Sequence, residues 1–334
     1  MTRFRALILP LLLLCCFGLA VGNAPAKTVQ FKFAHFIPPN EPGAEVGLWI
    51  AKDLNTAKDS KIKATYFHSG QMGNAIEIVK KVRMGTLQAG FTTGNYLPEL
   101  SPKFGIATLA YCMNTYGKWE ALQKDPAFRK ELYESLLGKG LRVIDLAYFG
   151  EYGFTTTKPV QTLSDLKSFK MRTTQARYPL AFWKALGVNP VPMAWGDVIP
   201  ALKQGVIDGT DQTDNVVRLR LTDVCKYFTS TKHMIGLFPL VVNEKWWQGL
   251  APEARNQIAA TIAADMAKAR AASMALSQKA KTALEAKGVK HLTLSGPEMA
   301  KFKAAQKTVW KQFSAEIGVK WLDRIEKFTA SVKD

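Results

Sequence analysis

Apolar and polar residues in this 334-residue chain follow two rhythms, and the switches between them predict its elements. From Thr28 the pattern predicts a strand over 29–35, a helix over 44–57, a strand over 62–67, a helix over 75–84 and a strand over 87–92. A βαβαβ run of this kind implies an α/β fold with a parallel sheet and covering helices, and ligands gather at the carboxyl ends of such strands. Those ends fall at His35-Phe36, Phe67-His68-Ser69 and Thr92-Thr93-Gly94-Asn95.

A second unit of the same kind is expected from about 150 to 208. In it, 163–167 reads as a capped turn, 169–173 as a strand, and 178–186 as a helix stopped by Gly187. Residues 188–193 suit an extended segment whose prolines forbid central ladder pairing, and 196–202 reads as a helix ending at Gly205. Val206-Ile207 reads as a short apolar run closed by the turn pair Asp208-Gly209. Residues 252–287 are alanine-rich with no internal glycine or proline, which predicts one unusually long helix; a further helix over 298–317 precedes an amphipathic tail. No internal repeat or low-complexity linker interrupts the pattern.

The N-terminus changes the picture of where the chain works. Arg3 and Arg5 precede an apolar run over 6–20 and then small and polar residues, the pattern of a secretory signal peptide rather than a membrane span. Cleavage is expected after Ala20 or Ala26, whereas Leu13 and Leu14 ahead of Cys15 and Cys16 do not suit a lipoprotein signal. Removing residues 1–26 leaves 308 residues, a length that favours two domains with their own cores. The net charge falls only from +18 to +16. A surplus of that size fits a nucleic-acid binder, a membrane-surface protein or an anion receptor, and export argues against the first. Lysines and arginines are scattered with no run of five, so most of the charge is expected on a solvated surface. Cys112 and Cys225 are the cysteines beyond the signal segment; in an oxidising compartment they could pair or stay buried as small hydrophobes, and their apolar neighbours favour buried thiols.

Arg172 is the most informative single residue, because Lys170-Met171-Arg172-Thr173 sets a guanidinium inside an apolar α/β unit. A buried arginine has to be matched to something negative, either an acid of its own lobe or a ligand carboxylate, whose two oxygens fit its paired donors. From the local residues both remain open.

The ordered motifs go further. Lys170-Met171-Arg172 is followed by Ala185-Leu186-Gly187, Pro190-Val191-Pro192-Met193, and Ala201-Leu202-Lys203-Gln204-Gly205-Val206-Ile207-Asp208-Gly209. With Phe31-Lys32-Phe33-Ala34-His35, Gly70-Gln71-Met72-Gly73, Gly85-Thr86-Leu87 and Val242-Asn243-Glu244-Lys245-Trp246-Trp247, the arrangement resembles the DctP-type solute-binding proteins of TRAP transporters, the tripartite ATP-independent periplasmic transporters. The resemblance implies a two-lobed periplasmic binding-protein fold with a ligand cleft between lobes, a long lobe-spanning helix, and hinge closure around an organic acid. It places lobe I at 27–149 plus about 238–270 and lobe II at 150–237 plus about 271–334. It also implies a monomeric periplasmic receptor that hands its ligand to small and large TRAP membrane subunits, with no cofactor, metal or nucleic acid.

On that resemblance Arg172 is the ligand-binding arginine, and Gln212, forty positions on, is an amide that donates to the same carboxylate. The family often reads Asp-Gly-Gln-Glu-Asn here, whereas this chain has Asp208-Gly209-Thr210-Asp211-Gln212. Gln175 occupies a position that is often polar and ligand-facing. Many dicarboxylate and sialic acid binders carry a second arginine in a Gly-x-Arg segment, but the region here reads Gly150-Glu151-Tyr152-Gly153-Phe154. One arginine among Phe36, Tyr152, Phe154, Tyr178 and Trp195 suggests a single carboxylate on an apolar or aromatic body; a C4-dicarboxylate receptor is the alternative. Thr93, Asn95 and His35 end strands on the expected ligand face, although a histidine there is more often a core residue bonded to backbone. No Gly-x-Ser-x-Gly, phosphate loop, CxxC or HExxH occurs, so a secreted two-lobed enzyme is the weaker alternative.

Overall fold

The computed structural model describes residues 28–332. Ten strands form one continuous mixed sheet: β1 (Val29–Ala34), β2 (Ile62–Phe67), β3 (Ala89–Phe91), β4 (Leu141–Thr156), β5 (Met171–Thr173), β6 (Pro190–Pro192), β7 (Gly209–Thr213), β8 (Tyr227–Thr229), β9 (Ile235–Asn243) and β10 (Lys290–Leu292). The main path runs β2-β1-β3-β9-β4-β7-β5-β6. β1 pairs in parallel with β2 and β3, as the first βαβαβ unit requires, and β5 pairs in parallel with β6 and β7. The Pro-rich β6 ends the path, where its missing N–H groups leave no ladder bond unmade.

β4 joins the halves. Leu141 to Glu151 pair with β9, and Tyr152 to Thr156 pair with β7, so the strand changes partner near its middle. The register slips between Tyr148 and Gly150, where Gly150 has φ +129° and a Cβ would lie 2.6 Å from Asp214 Oδ1. That bulge resets the alternation.

Three expectations are corrected. The apolar run Val206-Ile207 is buried only at Ile207: Val206 is exposed, and Asp208-Gly209 does not close a strand but opens one, since β7 begins at Gly209. Asp208 clamps this start, since its N–H donates to the Lys170 carbonyl and its Oδ2 accepts the Lys170 N–H, both at 2.9 Å. The long helix is Pro252–Gln278 and breaks at Lys279 before a short helix, Ala280–Glu285. The break turns Leu284 into a cluster with Val198, Ile207, Cys225 and Phe228. Nor are the cores separate, because one cluster runs from Ile78 and Leu97 through Phe154 and Trp183 to Phe302 and Phe313 of the helix Gly296–Ile317.

The long helix does touch both halves. Ile258, Ile262, Met266 and Ala269 pack with β1 residues Phe31 and Phe33, while the Ser273 carbonyl and Ser277 hydroxyl accept from Asn215 Nδ2 at 3.1 and 2.9 Å. Cys112 and Cys225 are buried free thiols in different clusters. The segment read as a signal peptide lies outside the described residues, among which no helix is long and apolar enough to cross a membrane.

Candidate functional site

A cleft with about 600 Å³ of space free of protein atoms opens where β1, β3, β5 and β7 end. It brings together Arg172, Gln212, Gln175 and Trp195 from the second half with Phe36 and Thr93 from the first, and adds Tyr152 from β4.

β5 buries Arg172 to 3 % exposure. Its Nε and Nη2 both donate to the Met193 carbonyl, at 3.1 and 2.8 Å, which fixes the plane of the guanidinium. Nη1 stands 4.0 Å from Asp211 Oδ1, an ion-pair contact longer than a hydrogen bond. Asp211 is otherwise engaged, since its Oδ2 accepts from Thr173 Oγ1 at 2.7 Å and Trp183 Nε1 at 3.0 Å. Burial pulls the Arg172 pKa down and pushes Asp211 up, with each charge partly restoring the other. The Trp195 ring lies 5.9 Å from the guanidinium carbon, and Gln212 spends its carbonyl on the Thr213 N–H at 2.8 Å, which turns its amide nitrogen into the available donor.

The opposite wall is aromatic. Phe149 and Phe238 stack at 4.0 Å and line the cleft with Phe36. In a regular strand, Phe149 and Tyr152, three residues apart, would face opposite sides; the bulge at Gly150 lets both face the cleft. Burial raises the Tyr152 hydroxyl pKa, and Asn95 hydrogen-bonds to it.

Three expected ligand residues do not line the cleft. Phe154 lies two residues beyond Tyr152 on β4, fully buried between Trp183 and Phe302 at 6.0 and 6.1 Å, and is a core residue. His35 is fully buried, stacked on Phe91 at 4.8 Å; its Nδ1 accepts the Ile37 N–H at 3.0 Å, and burial lowers its pKa to about 3. It buttresses the turn that presents Phe36. Asn95 is buried behind the lining and joins the two halves, with Nδ2 donating to Thr174 Oγ1 at 3.2 Å. Tyr178 is also core, bonded to Glu316 at 2.7 Å, and Glu77 closes a capping box with Asn74. Arg177 is committed to Glu99 and Glu316.

Sequence reasoning missed Glu41, Asn74, Phe149 and Phe238, all of which line the cleft, as does Tyr96. Glu41 alone carried a readable signal, as an acid in the Pro-rich turn just after β1 on the ligand face.

A cleft between two α/β halves, closed around a buried cation and walled by aromatic rings, defines a two-lobed receptor for a small solute. Residues 33–316 match the model of the bacterial extracellular solute-binding proteins, family 7 (DctP), and the chain belongs to that family. Members serve as the solute-binding proteins of TRAP transporters and are receptors rather than enzymes. The chain is 24 % identical over 296 residues to a solute-binding protein of Roseobacter denitrificans, covering 88 % of this chain and 89 % of the relative. Its fold matches the sugar acid binding protein DctPAm of Advenella mimigardefordensis, in complex with galactonate, with a TM-score of 0.85, 21 % identity and coverage of 92 % and 99 %. A TRAP periplasmic solute binding protein of Shewanella oneidensis with bound succinate superposes with a TM-score of 0.83 at 20 % identity, covering 90 % and 99 %.

Proposed function

We propose that this chain is the periplasmic solute-binding subunit of a TRAP transporter that captures an organic acid on Arg172, closes around it and delivers it to the membrane subunits. The observation that carries this reading is the Arg172 guanidinium, buried at the cleft and held flat by the Met193 carbonyl, with only a 4.0 Å contact to Asp211 as opposing charge among the described residues. A carboxylate completes that arrangement better than water does, because exclusion of solvent strengthens the pair. Gln212 donates beside it. The related structures with galactonate and succinate agree with an acid ligand.

The ligand is a monocarboxylate with an apolar or aromatic body, since Phe36, Phe149 and Phe238 offer apolar area and no second arginine lines the cleft among the described residues. A second buried carboxylate without a cation would cost several kcal/mol. Succinate in a structural neighbour keeps the C4-dicarboxylate reading as the alternative. Lobe I comprises 27–149 plus about 238–270, and lobe II 150–237 plus about 271–334. Residues 1–26 are removed on export, and the receptor works as a monomer.

A thermal-shift screen of monocarboxylates, sugar acids and C4-dicarboxylates, followed by calorimetry, tests this. Arg172→Ala should cost ~2–5 kcal/mol of binding to any acid that the wild type holds. Equal affinity in the variant would end the assignment. Scattering should show a smaller radius of gyration at saturating ligand, as hinge closure requires.

A further inference from the structure

Glu41 is the cleft residue that the reading above leaves without a task. Its backbone is pinned in a turn, with its N–H donating to the Pro38 carbonyl and its own carbonyl accepting from Ala44 N–H, both at 3.1 Å. Gly43 in the same turn has φ +78° and lies against Phe149 and Phe238, so the turn is seated on the aromatic wall. The carboxyl is 2 % exposed and lines the cleft. Arg220 Nε approaches Oε1 at 3.3 Å, yet neither atom makes an aligned hydrogen bond. Trp195, whose ring lies 5.9 Å from the Arg172 guanidinium carbon, hydrogen-bonds to the same carboxyl.

A plain ion pair does not account for this geometry. Arg220 is one-third exposed, and a pair of that kind contributes too little to offset burying a carboxylate. Burial accordingly lifts the Glu41 pKa to about 7, with Arg220 and Trp195 pulling back. A buried carboxyl whose Oε1 lacks an aligned donor, set in the wall of a ligand cleft, fits a donor that arrives with the ligand.

We infer that Glu41 is a specificity-determining residue that receives a hydroxyl or ammonium donor on the ligand while the ligand's carboxylate sits on Arg172. The preferred substrate class is then a monocarboxylate bearing such a donor. When ionised, as above neutral pH or opposite an ammonium, the same carboxyl repels a second carboxylate and disfavours dicarboxylates. This inference rests on the cleft being the acid-binding site.

The test uses the full mature chain and calorimetry with butyrate, 4-hydroxybutyrate, 4-aminobutyrate and succinate, their homologues a carbon longer and shorter, and phenylacetate, 4-hydroxyphenylacetate and 4-carboxyphenylacetate. The hydroxyl- or ammonium-bearing acid of a set should bind about tenfold or more tighter than its methyl- or phenyl-ended partner, with the dicarboxylate weakest. In Glu41→Gln that preference should shrink to less than about threefold and the dicarboxylate should gain. Glu41→Asp keeps the charge, so it should still exclude succinate even if the amide variant fails to fold. An unchanged ranking in Glu41→Gln, or succinate binding tightest in the wild type, overturns the role of Glu41. Loss of acid binding in Arg172→Ala alongside either result shows that the cleft reading survives; no acid binding to the wild type removes both.

Discussion

At the end of β1 the cleft is walled by Phe36, with the stacked Phe149 and Phe238 beside it, whereas at the end of β5 it carries Arg172 on the Met193 carbonyl with Gln212 nearby. Each is the carboxyl end of a strand in a parallel pair, and the two strands run in opposite directions in one sheet. The apolar side contributes through area, so it tolerates a change of shape at modest cost. The charged side contributes through geometry, because a guanidinium plane fixed by two bonds to one carbonyl accepts a carboxylate in few orientations. One side sets the reach of the ligand and the other its class.

The largest effect should fall on stability and leave recognition alone. Phe154→Ala removes a ring packed between Trp183 and Phe302 and should cost ~3–5 kcal/mol in chemical unfolding. Ligand affinity in the folded variant should stay within about threefold; a larger loss would return Phe154 to the site. Next comes Arg172→Lys, which keeps the charge and loses the planar fork. It should recover only part of what Arg172→Ala loses, and full recovery would mean that the charge, not the geometry, matters on this side. Phe36→Ala should weaken binding by about 1–2 kcal/mol, scaling with the apolar area of the ligand. An equal loss for small and large acids would contradict an area-driven wall.

The smallest effect concerns pH. Burial raises Glu41 and Asp214 to about 7, with Glu151 adding to the rise at Asp214 and Asn215 and Ser277 opposing it. A raised acid holds its proton in the folded state after the unfolded chain has released it. The stability it contributes is therefore complete below the ordinary carboxylate range and is lost as pH rises to about 7. His35, lowered to about 3 by burial, contributes the opposite slope over much of the same range, so the test is the difference between two proteins: relative to wild type, Asp214→Asn should lose a decline in melting temperature over about pH 5 to 7. An identical pH profile in the variant would contradict a raised Asp214.

Much of the first half was legible because its elements alternate cleanly. β1 and β2 begin and end within one residue of the predicted bounds, and the helix Ala75–Arg83 is announced by the capping pair Asn74 and Glu77. β9 was invisible for a physical reason: every residue from Ile235 to Asn243 is buried, so no period of two exists to read. β4 was missed with it. Without that pair of strands the bulge at Gly150 could not be foreseen, nor how far along β4 the cleft reaches: Tyr152 and Phe154 share a face, but Tyr152 lies at the cleft and Phe154 beyond it, under Trp183 and Phe302. Arg172 was found from the spacing of its motifs. Glu41 and Tyr96 sit in a turn and a 3-10 segment, where no periodicity points inward.

The division between a charged end and an apolar end is tested most directly by a crystal structure of the receptor with an acid identified by the thermal-shift screen. The ligand carboxylate should lie at about 2.7–3.1 Å from Arg172, with the Gln212 amide nitrogen beside it and the body of the ligand against Phe36 and Phe238. A carboxylate bound instead at Arg220 or Arg177, with Arg172 bonded only to Met193, would contradict it.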